Sequence, residues 1–208
     1  MLKFKDFLAE EEHKTLHAFD MDETLFHHDH SKVKIHVKDE HGNHVKSLTN
    51  QEFNHHKLQK GHSYDYGDFR STHLFKQSAK PIPKMINKLK AIHRNKQPVN
   101  IVTARSDMDD KPGFMKALKK HGIDPKKIHV HRAGNIEADS AGEAKRKVIS
   151  GLINKHGYKK VHLYDDSEQN LNHFLSLKKD HPDVELHAHH VEHNPETGKV
   201  KVNTRSLK

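Results

Sequence analysis

Cysteine is absent from the 208 residues. That excludes disulfides, thiolate nucleophiles and cysteine-ligated zinc, and it agrees with a reducing interior. Long apolar runs are missing as well. No stretch approaches the roughly 20 residues that a membrane helix needs, and the opening MLKFKDFLAEEEHKT lacks the apolar segment of a secretory signal. A soluble, intracellular chain is expected, with no membrane association and no identifiable protein partner. Apolar residues are scarce at 32%, against 31% charged. Because they come in periodic clusters, the composition points to a compact folded core under a heavily solvated surface.

Basic and imidazole side chains are plentiful. Lys and Arg number 37 against 28 Asp and Glu, a formal charge of +9. Such a surplus attracts polyanions and phosphorylated substrates through fields that salt weakens. Histidine reaches 24 residues, with clusters at His27, His28 and His30, at His55 and His56, and at His187, His189, His190 and His193. Neutral imidazoles ligate transition metals. Histidine is nevertheless spread along the whole chain, including surface positions such as His41 and His44, so a compositional habit outweighs a specific metal site.

The periodicities alternate. Residues 4–12 place Phe4, Phe7 and Leu8 on one helical face, and Thr15 to Met21 reads as a buried strand running into acidic residues. Val33, Ile35 and Val37 alternate before a His41-Gly42-Asn43 turn, which predicts a hairpin over 32–48. Residues 50–78 are polar, aromatic and without a clean period. Helices are predicted over 82–95, 114–121, 144–156 and 171–178, and strands over 99–103, 127–130, 161–164 and 184–191. Strands alternating with helices argue for a parallel sheet covered on both faces, in which ligands bind beyond the carboxyl ends of the strands. Asp20, Thr103, and Asp165 with Asp166 all fall at that edge.

Each of these residues suits phosphate chemistry. A carboxylate at Asp20 is a workable nucleophile toward phosphorus once a cation offsets the repulsion between anions. Asp22, two residues on, can protonate a leaving oxygen and later deprotonate water. Hard oxygen ligands at a strand end suit Mg²⁺. After VNIV, the hydroxyl and backbone N–H groups of Thr103-Ala104-Arg105 can hold phosphate oxygens. An ammonium from AGEAKRKVISGLI, Lys145 in preference to Lys147, can stabilise developing charge. The adjacent acids Asp165 and Asp166 repel one another unless a divalent cation lies between them.

In this order FDMDETL, IVTAR, AKRKV and LYDDSEQNL resemble the haloacid dehalogenase-like phosphatase superfamily, over residues 16 to 171. The resemblance implies a Rossmann-like parallel sheet and two-step transfer through an aspartyl-phosphate on Asp20, with Asp22 as acid and then base. Thr103 and Lys145 would hold the phosphoryl oxygens, with Thr24, Ala104 and Arg105 alongside. Mg²⁺ would sit on Asp20, the carbonyl of Asp22 and Asp166, with Asp165 supporting Lys145. An acid at Asp22 favours phosphate over dehalogenase chemistry. The interval from Asp20 to Thr103 far exceeds one helix and one strand, so 27–78 is expected to be a small cap inserted into a core of 1–26 and 79–208. Within it Tyr66 and Arg70, in SYDYGDFR, either line a substrate entrance or belong to the cap's own small core.

The segment from EAKRKVISGLI to NLNHF is also similar to phosphatase domains that act on nucleic-acid ends, whereas the DxDETL form resembles phosphatases of phosphorylated protein tails. A nucleotide or nucleic-acid phosphate is therefore the favoured substrate, with phosphoserine open. The opening MLKFKDFLAEE resembles the starts of T-even-type phage proteins, and Leu8-Ala9-Glu10 is like the sites their head proteases cut. That implies residence in host cytoplasm or virion. Two other classes compete: a non-catalytic phosphate- or nucleic-acid-binding module, and a histidine-rich metal-binding protein using His187 and His189.

Overall fold

A computed structural model describes residues 15–208. The predicted helix over 4–12 and the Leu8-Ala9-Glu10 stretch lie outside them. The chain folds as an α/β protein around one six-stranded sheet. Its strands are β1 (Thr15–Phe19), β7 (Val99–Thr103), β8 (His129–Arg132), β9 (Lys160–Asp165), β10 (Glu185–His193) and β11 (Val200–Leu207), in the order β11-β10-β9-β1-β7-β8. All pairs are parallel except β10 with β11.

Side-chain alternation builds the two faces of this sheet. On one face Phe19, Ile101 and Tyr164 pack with Met85, Leu89, Phe114 and Leu118, supplied by α4 (Pro83–Arg94) and α5 (Lys111–Lys120). On the other, Leu16, Ala18, Val102, Leu163 and Leu186 meet Ile149, Leu152, Leu171 and Phe174, from α6 (Ala141–His156) and α7 (Glu168–Leu175). Burying each such Leu, Ile or Phe contributes about 1.5–3 kcal/mol. The Ser140 hydroxyl caps the start of α6, and Gly157, at φ +68, ends it in a left-handed turn that costs glycine little.

Between β1 and β7 the chain leaves the core and returns. Strands β2 (Phe26–His28) and β6 (Ala79–Pro81) pair antiparallel as the way out and back. Beyond them β3 (Ile35–Lys38) lies between β4 (His44–Leu48) and β5 (Ser63–Asp65) in a separate antiparallel sheet. Short helices α1 (Asn50–His55), α2 (Gly67–Arg70) and α3 (Thr72–Ser78) complete the excursion. Ile35, Val37 and Leu48 form its core, with Phe53, Tyr64 and Phe69 packed against them. Two of the aromatic residues in SYDYGDFR thus fill this small core, while Tyr66 is 43% exposed.

The face of β1, β9 and β10 that carries Phe19 also bears rings in two rows. His17, His162 and His187 are opposite one another in register and stack at centroid separations of 4.5 and 4.4 Å. One step along, Phe19, Tyr164 and His189 stack at 4.3 and 4.2 Å. His162 Nδ1 lies 2.9 Å from His189 Nε2, and His189 Nδ1 lies 2.8 Å from Thr204 Oγ1 on β11. Burial, helped by nearby cations, lowers His17 and His189 to about 4, and burial among the other imidazoles takes His162 lower still.

Candidate active site

Strand order brings three distant segments together. With β1 between β9 and β7, Phe19 pairs with Tyr164 on one side and Ile101 on the other. The residues after them, Asp20, Asp165-Asp166 and Thr103, share the carboxyl edge at the centre of the sheet. The backbone N–H of Asp20 donates to the Tyr164 carbonyl at 2.8 Å, fixing the first turn beyond β1 against β9.

Lys145 enters from α6. It occupies the helical stripe that continues through Ile149 and Leu152, and it is 1% exposed. Its Nζ lies 2.7 Å from Asp20 Oδ1 and 2.7 Å from Asp165 Oδ2. Burial works against its charge, but Asp165 and Asp20 outweigh burial and hold the ammonium well above its ordinary pKa. Lys147 points elsewhere, exposed and bonded to the Glu137 carbonyl at 2.9 Å.

The two adjacent acids have separate surroundings. Asp165 is fully buried, and besides Lys145 it accepts from the Ser167 N–H at 2.9 Å and from Asn170 Nδ2 at 3.0 and 3.3 Å. Both its oxygens are therefore engaged by the protein. Asp166 is half-buried, and its backbone carbonyl lies 2.9 Å from His190 Nε2. Carboxylate oxygens of Asp20, Asp165 and Asp166 lie within 4.8 Å of one another.

Three carboxylates around one ammonium leave excess negative charge where little water enters. Burial raises Asp20 to about 7. Lys145 opposes the shift, and Asp165 and Asp22 add to it. Burial, Asp165 and Asp20 likewise raise Asp166 well above the carboxylate range. Such an oxygen-only donor set, short of positive charge, fits a hard divalent cation.

Asp22 has different company. Arg105 grips it with Nε at 3.1 and 3.0 Å from its two oxygens and Nη2 at 2.7 Å. His28 Nε2 lies 2.7 Å away on Oδ1. Burial would raise Asp22, but Arg105 and then His28 prevail and hold it far below the usual carboxylate range. Arg105 is itself 4% exposed. Its Nη1 donates to the Phe69 carbonyl, and its guanidinium lies 5.0 Å from the Phe69 ring. The ion pair thus ties the sheet edge to the small antiparallel sheet.

The remaining expected residues are placed as follows. Thr103 is 1% exposed, its hydroxyl accepting from the Arg105 N–H at 3.2 Å. Ala104 is exposed on the same loop. Thr24 is wholly buried, with a hydroxyl that has no partner among the described residues. Arg70 and Tyr66 are exposed on the excursion, with Arg70 Nε 3.4 Å from the Asp107 carbonyl. Sequence reasoning missed His28, Asn170 and the Phe69 carbonyl. Asn170 lies within the LYDDSEQNL segment, where an amide one turn into a helix after paired acids is a usable signal. His28 was masked by the abundance of histidine. No protein-family model, curated protein or solved structure matches this chain.

Proposed function

We propose that this protein is a magnesium-dependent phosphatase with a Rossmann-like core and a small cap. In this reading it hydrolyses phosphate monoesters through an aspartyl-phosphate on Asp20. One observation carries it: at the carboxyl edge of adjacent parallel strands, a buried ammonium lies 2.7 Å from two carboxylates, with a third acid close by. Asp20, the Asp22 carbonyl and Asp166 would hold Mg²⁺, which when bound neutralises charge on the transferring phosphoryl group and permits an anion to be attacked by an anion.

The chain's own groups divide the remaining work. Asp20 attacks phosphorus, the P–O bond to the leaving group breaks, and water later cleaves the acyl phosphate, releasing inorganic phosphate and restoring the carboxylate. Lys145 favours the ionised form of Asp20, orients it and faces the charge that develops on the phosphoryl oxygens. Asp165, itself held by Ser167 and Asn170, fixes Lys145 in place. Thr103 and the following N–H groups take a phosphoryl oxygen. Asp22, ionised against Arg105 and His28, has the form needed to take a proton from water. Delivering a proton to the leaving oxygen requires Arg105 to release it, and Arg105 is attached to the cap through Phe69. Cap movement and proton transfer are therefore coupled in this reading. The basic surplus makes nucleotides and nucleic-acid 5′ or 3′ phosphates the first substrates to try.

The test is phosphate release from a generic aryl phosphate with Mg²⁺, followed by nucleotides, end-phosphorylated oligonucleotides, sugar phosphates and phosphopeptides. Asp20→Asn should lower turnover by about 10⁴-fold or more, while Lys160→Ala, on the far end of β9, should leave it unchanged. Undiminished turnover in purified Asp20→Asn would exclude the nucleophile.

A further inference from the structure

A second group of potential ligands lies outside the site just described. Glu23, in the turn after β1, adopts φ 56, a left-handed conformation uncommon for a non-glycine residue. Its carboxylate lies against the start of the excursion. Oε2 lies 2.7 Å from His27 Nδ1, and Oε1 accepts from the His28 N–H at 3.1 Å. His30 Nε2 lies 4.0 Å from Oε1. The rings of His27 and His30 meet edge to face at 5.2 Å, and the His193 ring, from the end of β10, lies 5.4 Å from His27. His193 Nδ1 is buried and has no hydrogen-bond partner among the described residues.

We infer that Glu23, His27 and His30, with His193 beside them, form a binding site for a borderline first-row divalent cation, Zn²⁺ being the best fit. One ligand atom from each of Glu23, His27 and His30 already lies within 4.8 Å of the others. Tetrahedral zinc with bonds of about 2.0–2.2 Å needs them roughly 3.4 Å apart. Rotation about the side-chain torsions is the movement that would bring them to that spacing. A set of imidazoles with one carboxylate selects Zn²⁺, Co²⁺ or Ni²⁺ over Mg²⁺, so the two metal preferences in the molecule are distinct. A histidine-rich chain produces many i,i+4 Glu–His contacts by chance. This group differs because its members come from a turn of the core, a strand leading outward with the turn that follows it, and the end of a sheet strand, and because a buried ring nitrogen is left unsatisfied beside it. The ion would cross-link the outgoing limb of the excursion to the core next to Asp22.

Tag-free protein stripped with chelator and titrated with Co²⁺ is the direct probe. Near-tetrahedral cobalt absorbs strongly in the visible, whereas six-coordinate cobalt on carboxylates does not. One equivalent of intense absorption is expected, displaced by Zn²⁺ and unaffected by excess Mg²⁺, and Zn²⁺ should raise Tm by several degrees. His27→Ala with His30→Ala should abolish both effects, and Glu23→Gln should weaken Co²⁺ binding at least tenfold. His41→Ala with His44→Ala, on the distant β3–β4 hairpin, should change neither. Retention of the absorption in the His27/His30 double variant, or equal losses from both pairs, would overturn the assignment. Should the double variant not fold, His30→Gln alone serves, and unchanged cobalt affinity there counts against the site.

Discussion

Arg105 and Asp22 are both nearly inaccessible, and each is the other's main counter-charge. Breaking such a pair from one side strands a charge in a poorly solvated place, which costs about 3–5 kcal/mol, whereas removing both partners costs far less. Arg105→Met should therefore lower the unfolding free energy in urea by about that much. Arg105→Met combined with Asp22→Asn should recover a large part of the loss. Additive losses in this double-mutant cycle would mean that the two side chains do not depend on one another. Arg105→Lys should behave more like Met than like Arg, since an ammonium cannot reproduce the forked contact to Asp22 together with the bond to the Phe69 carbonyl.

At the level of elements, the loop after β7 that carries Arg105 is pressed from behind. A Cβ placed on Gly134 would meet the Ala104 carbonyl oxygen at 2.3 Å and Arg105 and Ser106 backbone atoms at 2.8 Å. Backbone cannot yield as a flexible side chain would, so Gly134→Ala should displace this loop. A destabilisation of about 1–3 kcal/mol is expected, with a fall in the proposed phosphate-ester turnover larger than the fraction unfolded explains. Thermal melts and kinetics on the same samples check both. Nothing in the local sequence RAGNIE announces this contact, because it is made by elements joined only through the tertiary fold. Elements built by local pattern are legible in the sequence, and those fixed by tertiary contacts are not. β1, β7 and β9 are short apolar runs that stop at polar residues, and α4 and α6 carry a clean 3.6-residue period, so they can be read directly. β11 reads VKVNTRSL, polar along its exposed outer half, and it pairs antiparallel as an edge strand, a feature that a simple strand–helix alternation omits. β8 begins at His129 rather than Lys127 because Lys127 and Ile128 close a turn on the Asp124 carbonyl. α5 begins at Lys111, three residues before its apolar stripe, because Asp110 caps it and Pro112 suits a first turn. Residues 50–78 gave no period because their helices are too short to show one. Lys145 could be placed because its position continues the apolar stripe of α6, whereas the link from Arg105 to Asp22 depends on side-chain directions that spacing does not encode.

Across the whole molecule, the stacked imidazoles make stability depend on pH. The folded-state pKa values of His17 and His189 are lowered to about 4, against 6.5 in an unfolded chain. Above about pH 6.5 these rings are neutral in both states and cost nothing. As pH falls from there toward about 4, the unfolded chain takes up protons that the folded one refuses, and each such ring removes about 1.4 kcal/mol per pH unit. Asp20, raised to about 7, acts oppositely, since the folded state protonates it first. The imidazole part is therefore read as a difference: His162→Phe should keep the stacking and flatten the loss of stability between pH 6.5 and 4.5 in urea titrations. An identical slope in wild type and variant would show that the rings titrate freely. The position of β1 carries a different consequence, for how the molecule comes to exist. The second strand in contact with it, β9, is separated from it by most of the chain, so a ribosome must deliver residues through Asp165 before both flanks of Asp20 are complete. Such distant pairings are slow to find and leave an apolar strand without its neighbours meanwhile. A nascent chain halted before β9 should leave the β9-facing edge of TLHAF open to chaperones, with its acidic centre unassembled.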